Sequence, residues 1–287
     1  MEFYIVDVFA EQKYQGNQLA VLVPDRKLTA SEMQQIAREI NFSETTFILS
    51  GKQENGGYDV RIFTPDVEVP FAGHPTLGTA HVIRRFIERE ESNSGKVLLN
   101  LKVGTIPVII DDNGLVMQQN QPSFDMLIEQ DSMIADILKI DKSDIDGDYP
   151  IQVVSTGLPC VVTPLKTVDA VKRCSIDRSL LQRFIDNIYD CNLLVFAPDR
   201  DNDLYVRVFM PDSGIQEDPA TGSANGNLAG YLLKYNYFQK NKIQYNVRQG
   251  NEINRPSLLR INAAMTGENF EICVGGNVHL VAKGEWL

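Results

Sequence analysis

Basic charge is scarce in this chain: 27 Lys and Arg stand against 38 Asp and Glu, a formal net charge of -11. Phosphate backbones are held by basic surface, so nucleic acid is not an expected partner. Cysteine is scarce too. The four thiols, Cys160, Cys174, Cys191 and Cys273, are scattered, form no C-x-x-C pair and lie in or beside apolar runs. They read as inert thiols of a reducing cytoplasm rather than as disulfides or nucleophiles. Only three histidines occur, His74, His81 and His279, with no second ligand at metal-site spacing, so no metal is expected. His81 and His279 read as packing or structural residues. No apolar run reaches the length of a membrane span, so no membrane partner is expected. The start, MEFYIVDVFAEQ, lacks the basic and apolar regions of a signal peptide. G-x-S-x-G, P-loop and dinucleotide patterns are missing, which leaves nucleophilic-serine and nucleotide chemistry without support.

What is present is a duplication. Val60-Arg61-Ile62-Phe63-Thr64-Pro65-Asp66 precedes the loop Phe71-Ala72-Gly73-His74-Pro75-Thr76. Val206-Arg207-Val208-Phe209-Met210-Pro211-Asp212 precedes Glu217-Asp218-Pro219-Ala220-Thr221-Gly222-Ser223-Ala224. Each copy reads as an apolar strand, a turn and a small-residue loop that starts a helix. On this reading His74-Pro75 in one copy matches Asp218-Pro219 in the other. Flanking segments repeat as well, in the order strand, strand, helix, strand, strand, helix, then hairpin strands. A helix is expected over Ser31–Arg38, capped by Thr29 or Ser31, with a second in 178–185. The expected fold class is α+β: two pseudo-symmetric domains, each a curved, mostly antiparallel, barrel-like sheet wrapped around a central helix. The expected halves are 1–120 and 121–287. Residues 122–149 read as a connection with one amphipathic helix around 132–140. The last strand, near 276–287, has no counterpart in the first half and is expected to cross back to it.

Three polar groups stand out within the apolar pattern. Glu44 lies between a helix and an apolar strand, where partial burial would raise its pKa and suit it to general-base work. A solvated or capping carboxylate is the other reading. His74 sits at a helix start behind Gly73, where the helix dipole disfavours its protonated form. It reads equally as a turn cap. Asp218 and Ser223 lie at the second helix start, as an acid or base and a hydrogen-bond donor, or simply as capping residues.

Together, Ser43-Glu44-Thr45-Thr46-Phe47, Phe71-Ala72-Gly73-His74-Pro75-Thr76 and Glu217–Ala224, in this order, resemble the motifs of the PhzF-like family of phenazine biosynthesis. That family shares the diaminopimelate epimerase-like fold. The likeness runs from Asp7-Val8-Phe9 and Gly16-Asn17-Gln18 to the final strands. It implies facing domains with a cleft, a homodimer, and a cofactor-independent isomerase acting on a small carboxylated metabolite. In the family, a base at the position of Glu44 moves a proton on a dihydro-hydroxyanthranilate ring. The resemblance assigns catalytic or binding roles to His74 and Asp218. It makes Gly73, Gly222, Ser223 and Asn17 substrate-binding, with the backbone amides of the two glycines holding an anionic group. Related epimerases carry a cysteine pair at these loops. Neither Phe71-Ala72-Gly73 nor Pro219-Ala220-Thr221 holds one, which counts against the alternative of an amino-acid racemase. A catalytically silent binding protein is the remaining alternative.

Overall fold

A computed structural model describes residues 1–90, 94–200, 203–210 and 217–287; the Pro211-Asp212 turn lies outside them. The chain divides into two compact units, Met1–Gln118 with Gly275–Leu287, and Gln119–Val274.

In the first unit, β1 (Glu2–Val8) and β2 (Asn17–Val23) form an antiparallel hairpin. Helix α1 (Ala30–Ile40) then carries the chain across to β3 (Glu44–Ile48), which pairs parallel with β2. A parallel pair needs such a crossover. Thr29 caps α1 in a full capping box with Glu32, and Asn41 ends the helix in the left-handed conformation. Its buried residues Met33 and Ala37 join Leu22, Phe47 and Phe63 in a core on one face of the sheet. Strand β4 (Gly57–Phe63) pairs antiparallel with β3 and with the two-residue β5 (Glu68–Val69). Helix α2 (Gly73–Val82) follows, continued by a π-helical turn at Ile83–Ile87. Strands β6 (Gly95–Leu101), β7 (Gly104–Asp111) and β8 (Gly114–Gln118) complete a meander, with β6 parallel to β4.

The second unit repeats this plan. It opens with β9 (Ser123–Leu127) and α3 (Asp131–Leu138), then β10 (Gln152–Ser155) and β11 (Pro159–Pro164). Two helices, α4 (Val168–Arg173) and α5 (Arg178–Asn187), cross to β12 (Asn192–Pro198), parallel to β11. Then come β13 (Leu204–Phe209), the two-residue β14 (Glu217–Asp218), α6 (Gly222–Lys234), β15 (Lys242–Gln249), β16 (Ser257–Thr266) and β17 (Asn269–Gly276). Strand β13 pairs antiparallel with β12 and β14, and parallel with β15. The final strand, β18 (Val278–Glu285), pairs antiparallel with β1 in the first unit.

Each unit is a curved mixed sheet around one helix. All of α2 from His74 to Val82 is buried except His81, and α6 is buried except Ser223 and Lys234. A helix buried all round is a core helix, and α2 meets β1, β2, β3, β6 and β8 while α6 meets β10, β11, β15 and β16. Gly78 lets α2 approach its sheet, since a Cβ there would lie 2.5 Å from Leu19 Cδ2 and 2.9 Å from Val8 Cγ2.

Three expectations need correction. The stretch 122–149 is more than a connection, because β9 within it pairs with β10. The last strand does have a counterpart: β18 flanks β1 as β9 flanks β10. The third concerns the internal match. Val69 pairs with Ile62 exactly one step beyond Glu68 and Phe63, and Asp218 pairs with Val208 one step beyond Glu217 and Phe209. Three residues then precede Gly73 in one unit and Gly222 in the other. Pro70 therefore matches Pro219, Val69 matches Asp218, and His74 matches Ser223. Two X-Pro pairs look alike in sequence, but strand pairing, not the proline, sets the register.

Candidate active site

The first unit brings Glu44 and His74 together. Glu44 opens β3, and its side chain is 18% exposed. His74 is the second residue of α2 and is 5% exposed. Glu44 Oε2 and His74 Nε2 are 3.5 Å apart. Strand and helix are tied just behind by the buried hydroxyl pair Thr46–Thr79, at 2.8 Å. Asn17, 1% exposed, opens β2 beside β3. The sharp turn before it requires Gly16, whose φ is +70°, and a Cβ there would lie 2.3 Å from Val8 O.

His74 Nε2 also lies 3.3 Å from the Gln18 carbonyl oxygen. A carbonyl can only accept, so Nε2 carries the hydrogen and Nδ1 the lone pair. Burial pushes the imidazole pKa down to about 3, against a smaller opposing effect of the Gln18 carbonyl. His74 is thus neutral at physiological pH, and its contact with Glu44 is a long N–H···O approach rather than an ion pair. The direction agrees with the reading from sequence; the main cause is burial rather than the helix dipole.

The second unit brings Asp218, Gly222 and Ser223 together on β14 and the start of α6. Asp218 is 5% exposed, and its Oδ2 accepts the Thr221 hydroxyl at 2.5 Å. The Ser223 carbonyl accepts the Thr156 hydroxyl at 3.3 Å. Gly73 and Gly222 are the first residues of α2 and α6, and neither preceding residue, Ala72 or Thr221, caps its helix with a side chain. Free N–H groups at a helix start, with the dipole behind them, suit an anion. The strand registers place Glu44 opposite Asn192 in the internal comparison, through Leu19↔Glu44 and Cys160↔Asn192.

Sequence reasoning passed over a pair of arginines. Arg61 Nε and Nη2 reach Glu68 at 2.7 and 2.6 Å. Arg207 Nε and Nη2 reach Glu217 at 3.0 and 2.7 Å. The repeated Val-Arg-x-Phe, each followed by a glutamate before the helix, was the available signal. Both forks pin the short strand that leads to a candidate helix start. Arg207 goes further, donating from Nη1 to the carbonyls of Val171, Lys172 and Cys174 at 3.1, 3.2 and 2.7 Å. Thr221, Asn225 and Gln249 were also missed, because their partners are distant in sequence.

Burial pushes the thiols of Cys160, Cys174 and Cys191 up to about 12. Such thiols are inert as nucleophiles at neutral pH. Among the described residues no group of three or more His, Cys, Asp or Glu is arranged to hold a metal, and no helix is long and apolar enough to cross a membrane.

Comparison with known proteins identifies the family and the fold. The model of a family described as phenazine biosynthesis-like protein matches residues 6–284. A trans-2,3-dihydro-3-hydroxyanthranilate isomerase of Pseudomonas aeruginosa is 34% identical over 98% of this chain and 98% of its own length. An uncharacterized isomerase of Clostridium acetobutylicum is also 34% identical, over 98% of this chain and 96% of its own. Among solved structures, a phenazine biosynthesis protein of Bacillus anthracis superposes with a TM-score of 0.89 at 26% identity, covering 100% of this chain and 99% of the other. A hydroxyproline epimerase of Agrobacterium vitis shares the fold alone, with a TM-score of 0.64 at 10% identity over 99% of this chain and 91% of the other.

Proposed function

We propose, since this chain belongs to the phenazine biosynthesis-like (PhzF) family and is an isomerase, that it moves a proton within a small carboxylated metabolite by general acid/base catalysis. The observation that carries the reading is the Glu44 carboxylate 3.5 Å from a buried, neutral His74 at the start of a core helix. Glu44 removes a proton from carbon, its carboxyl proton exchanges with solvent through the 18% of the side chain left exposed, and the conjugate acid then protonates another carbon. A carboxylate shielded from water and close to the reacting carbon is a competent base. His74, neutral and donating from Nε2, stabilises negative charge that develops on the substrate without adding a second charge to the site.

In this proposal Asp218 binds a polar group of the substrate and helps move protons. Asn17 and Ser223 contribute hydrogen bonds. N–H groups at a helix start, as at Gly73 and at Gly222, suit an anionic group such as a substrate carboxylate, and holding it lowers the cost of carbanion-like character next to it. No cysteine stands at either helix start, so the chemistry rests on carboxylate and imidazole rather than on a thiol pair. The substrate of the P. aeruginosa relative is the first candidate.

The test is direct. The purified protein is mixed with trans-2,3-dihydro-3-hydroxyanthranilate, and the ultraviolet spectrum is followed with wild-type, His74→Gln and Asp218→Asn proteins. Conversion by wild type and loss of about 10²-fold or more in each variant supports the reading. Full activity in both variants contradicts it.

A further inference from the structure

We infer that Gln249, acting with Thr221, is a positioning residue for the Asp218 carboxylate; this rests on the reading above, in which Asp218 faces substrate. Gln249 ends β15 and is 0% exposed. Its side-chain amide makes four hydrogen bonds. Nε2 donates to the Asp218 carbonyl at 2.8 Å and to Thr221 Oγ1 at 3.0 Å. Oε1 accepts from Thr221 N at 3.3 Å and from Asn225 Nδ2 at 2.9 Å.

The directions follow from chemistry. The Asp218 carbonyl only accepts and the Thr221 N–H only donates, so the amide cannot be flipped. Thr221 Oγ1 already accepts from Gln249, and its own hydrogen goes to Asp218 Oδ2, at 2.5 Å. The result is a one-way chain from the Gln249 amide through the Thr221 hydroxyl to the carboxylate. Thr221 occupies the N-cap of α6, where a threonine ordinarily accepts from a helix N–H, yet it makes no such bond. Its hydroxyl is spent on Asp218 instead. Gly250, with φ +76°, brings the backbone against the same loop: a Cβ there would lie 2.6 Å from Pro219 O and 2.4 Å from Arg255 O.

The first unit supplies an internal control. By strand register, Asp218 matches Val69, Thr221 matches Ala72, and Gln249 matches Leu101, through Leu99 and Val247 at the parallel pairings Tyr58↔Leu99 and Leu204↔Val247. All three matching positions are apolar. Only the helix-internal bond survives: Thr76 Oγ1 donates to the Ala72 carbonyl at 2.7 Å as Asn225 Nδ2 donates to that of Thr221 at 2.9 Å. The same fold therefore closes this corner without the glutamine or the N-cap hydroxyl when no carboxylate stands there. The polar set accompanies the acid.

The experiment compares Gln249→Leu, Thr221→Val and Thr221→Ser in the native and Asp218→Asn backgrounds, in full-length protein whose melting is checked first. The expected result is a fall in kcat of about ten- to a hundred-fold for the Leu and Val variants, with KM changed far less. Thr221→Ser keeps most of the activity. In the Asp218→Asn background neither Leu nor Val lowers kcat further, because they act through the missing carboxylate. A folded Gln249→Leu with wild-type kcat overturns the inference, as does an equal fold-loss in the Asp218→Asn background. If Gln249→Leu does not fold, the near-isosteric Thr221→Val decides by the same criteria. Asp218→Asn with unchanged kcat removes both the role of Asp218 and the inference. If wild type turns over no carboxylate offered, the isomerase reading fails, and the carbon-13 titration of the Asp218 carboxyl decides separately. A midpoint moved by both variants sustains the positioning; an unmoved one overturns it.

Discussion

His74 illustrates how one residue links burial, protonation and stability. Its imidazole is held down to about pH 3 by burial, and that of His81 to about 4 by burial and then by Arg85 and His279. In the unfolded chain both titrate near 6.5. Between these values the unfolded state binds more protons than the folded one, so stability rises with pH across that window. The contribution is fully present above about pH 6.5 and is lost as pH falls toward 4 for His81 and toward 3 for His74, at up to about 1.4 kcal/mol per pH unit for each histidine. Urea midpoints at pH 7.5 and 5 should show a clear drop on acidification. The drop should shrink in a His74→Gln/His81→Gln double variant; an equal drop in that variant contradicts the assignment. As candidates such residues were visible in the sequence. Glu44 and His74 interrupt apolar patterns at the start of a strand and a helix, but the pattern left capping roles equally open, and the motif resemblance singled them out. Gln249 was not legible, because its partners lie 24 to 31 positions away and only strand register brings them to it.

At the scale of the element, two short strands do more than their length suggests. Strand β14 is held by Arg207, whose side chain is 8% exposed, while β5 is held by Arg61, 26% exposed. Removing one partner of a buried, hydrogen-bonded charge pair costs about 3–5 kcal/mol, whereas an exposed pair contributes about 1 kcal/mol or less. Arg207→Met should therefore destabilise the protein by several kcal/mol, and Arg61→Met by clearly less. Urea unfolding of the two variants measures the difference; equal effects contradict the account. Gly250 follows β15 and abuts the loop that leaves β14, so Gly250→Ala tests that loop. It sets a Cβ against two carbonyls at a positive φ, and the loop from Pro219 to Thr221 must shift. A loss of stability above about 1 kcal/mol together with reduced turnover is expected; a variant unchanged in both contradicts it. Elements of two residues cannot be read from periodicity. That is why Asp218-Pro219 was matched to His74-Pro75 in sequence, whereas the ladders match it to Val69-Pro70.

The whole molecule is one plan used twice with different chemistry in each copy. The strand–loop–helix cassette, the helix after the first hairpin and the core helix were visible as repeated patterns of apolar and small residues, whereas the parallel pairings that the crossovers make were not. The strand β9 was not, because its burial is slight and only its pairing with β10 identifies it. Duplication frees each copy to differ where the fold is indifferent. Glu44 stands where the other unit has Asn192, His74 where it has Ser223, and Asp218 where it has Val69. The central claim is that Glu44 is the base that moves the proton. The most direct measurement is NMR in D2O of trans-2,3-dihydro-3-hydroxyanthranilate with wild-type and Glu44→Gln protein. Wild type should place solvent deuterium on a ring carbon as product forms, and Glu44→Gln should fold and melt as wild type does while placing none. Deuterium incorporation by Glu44→Gln at the wild-type rate contradicts the account.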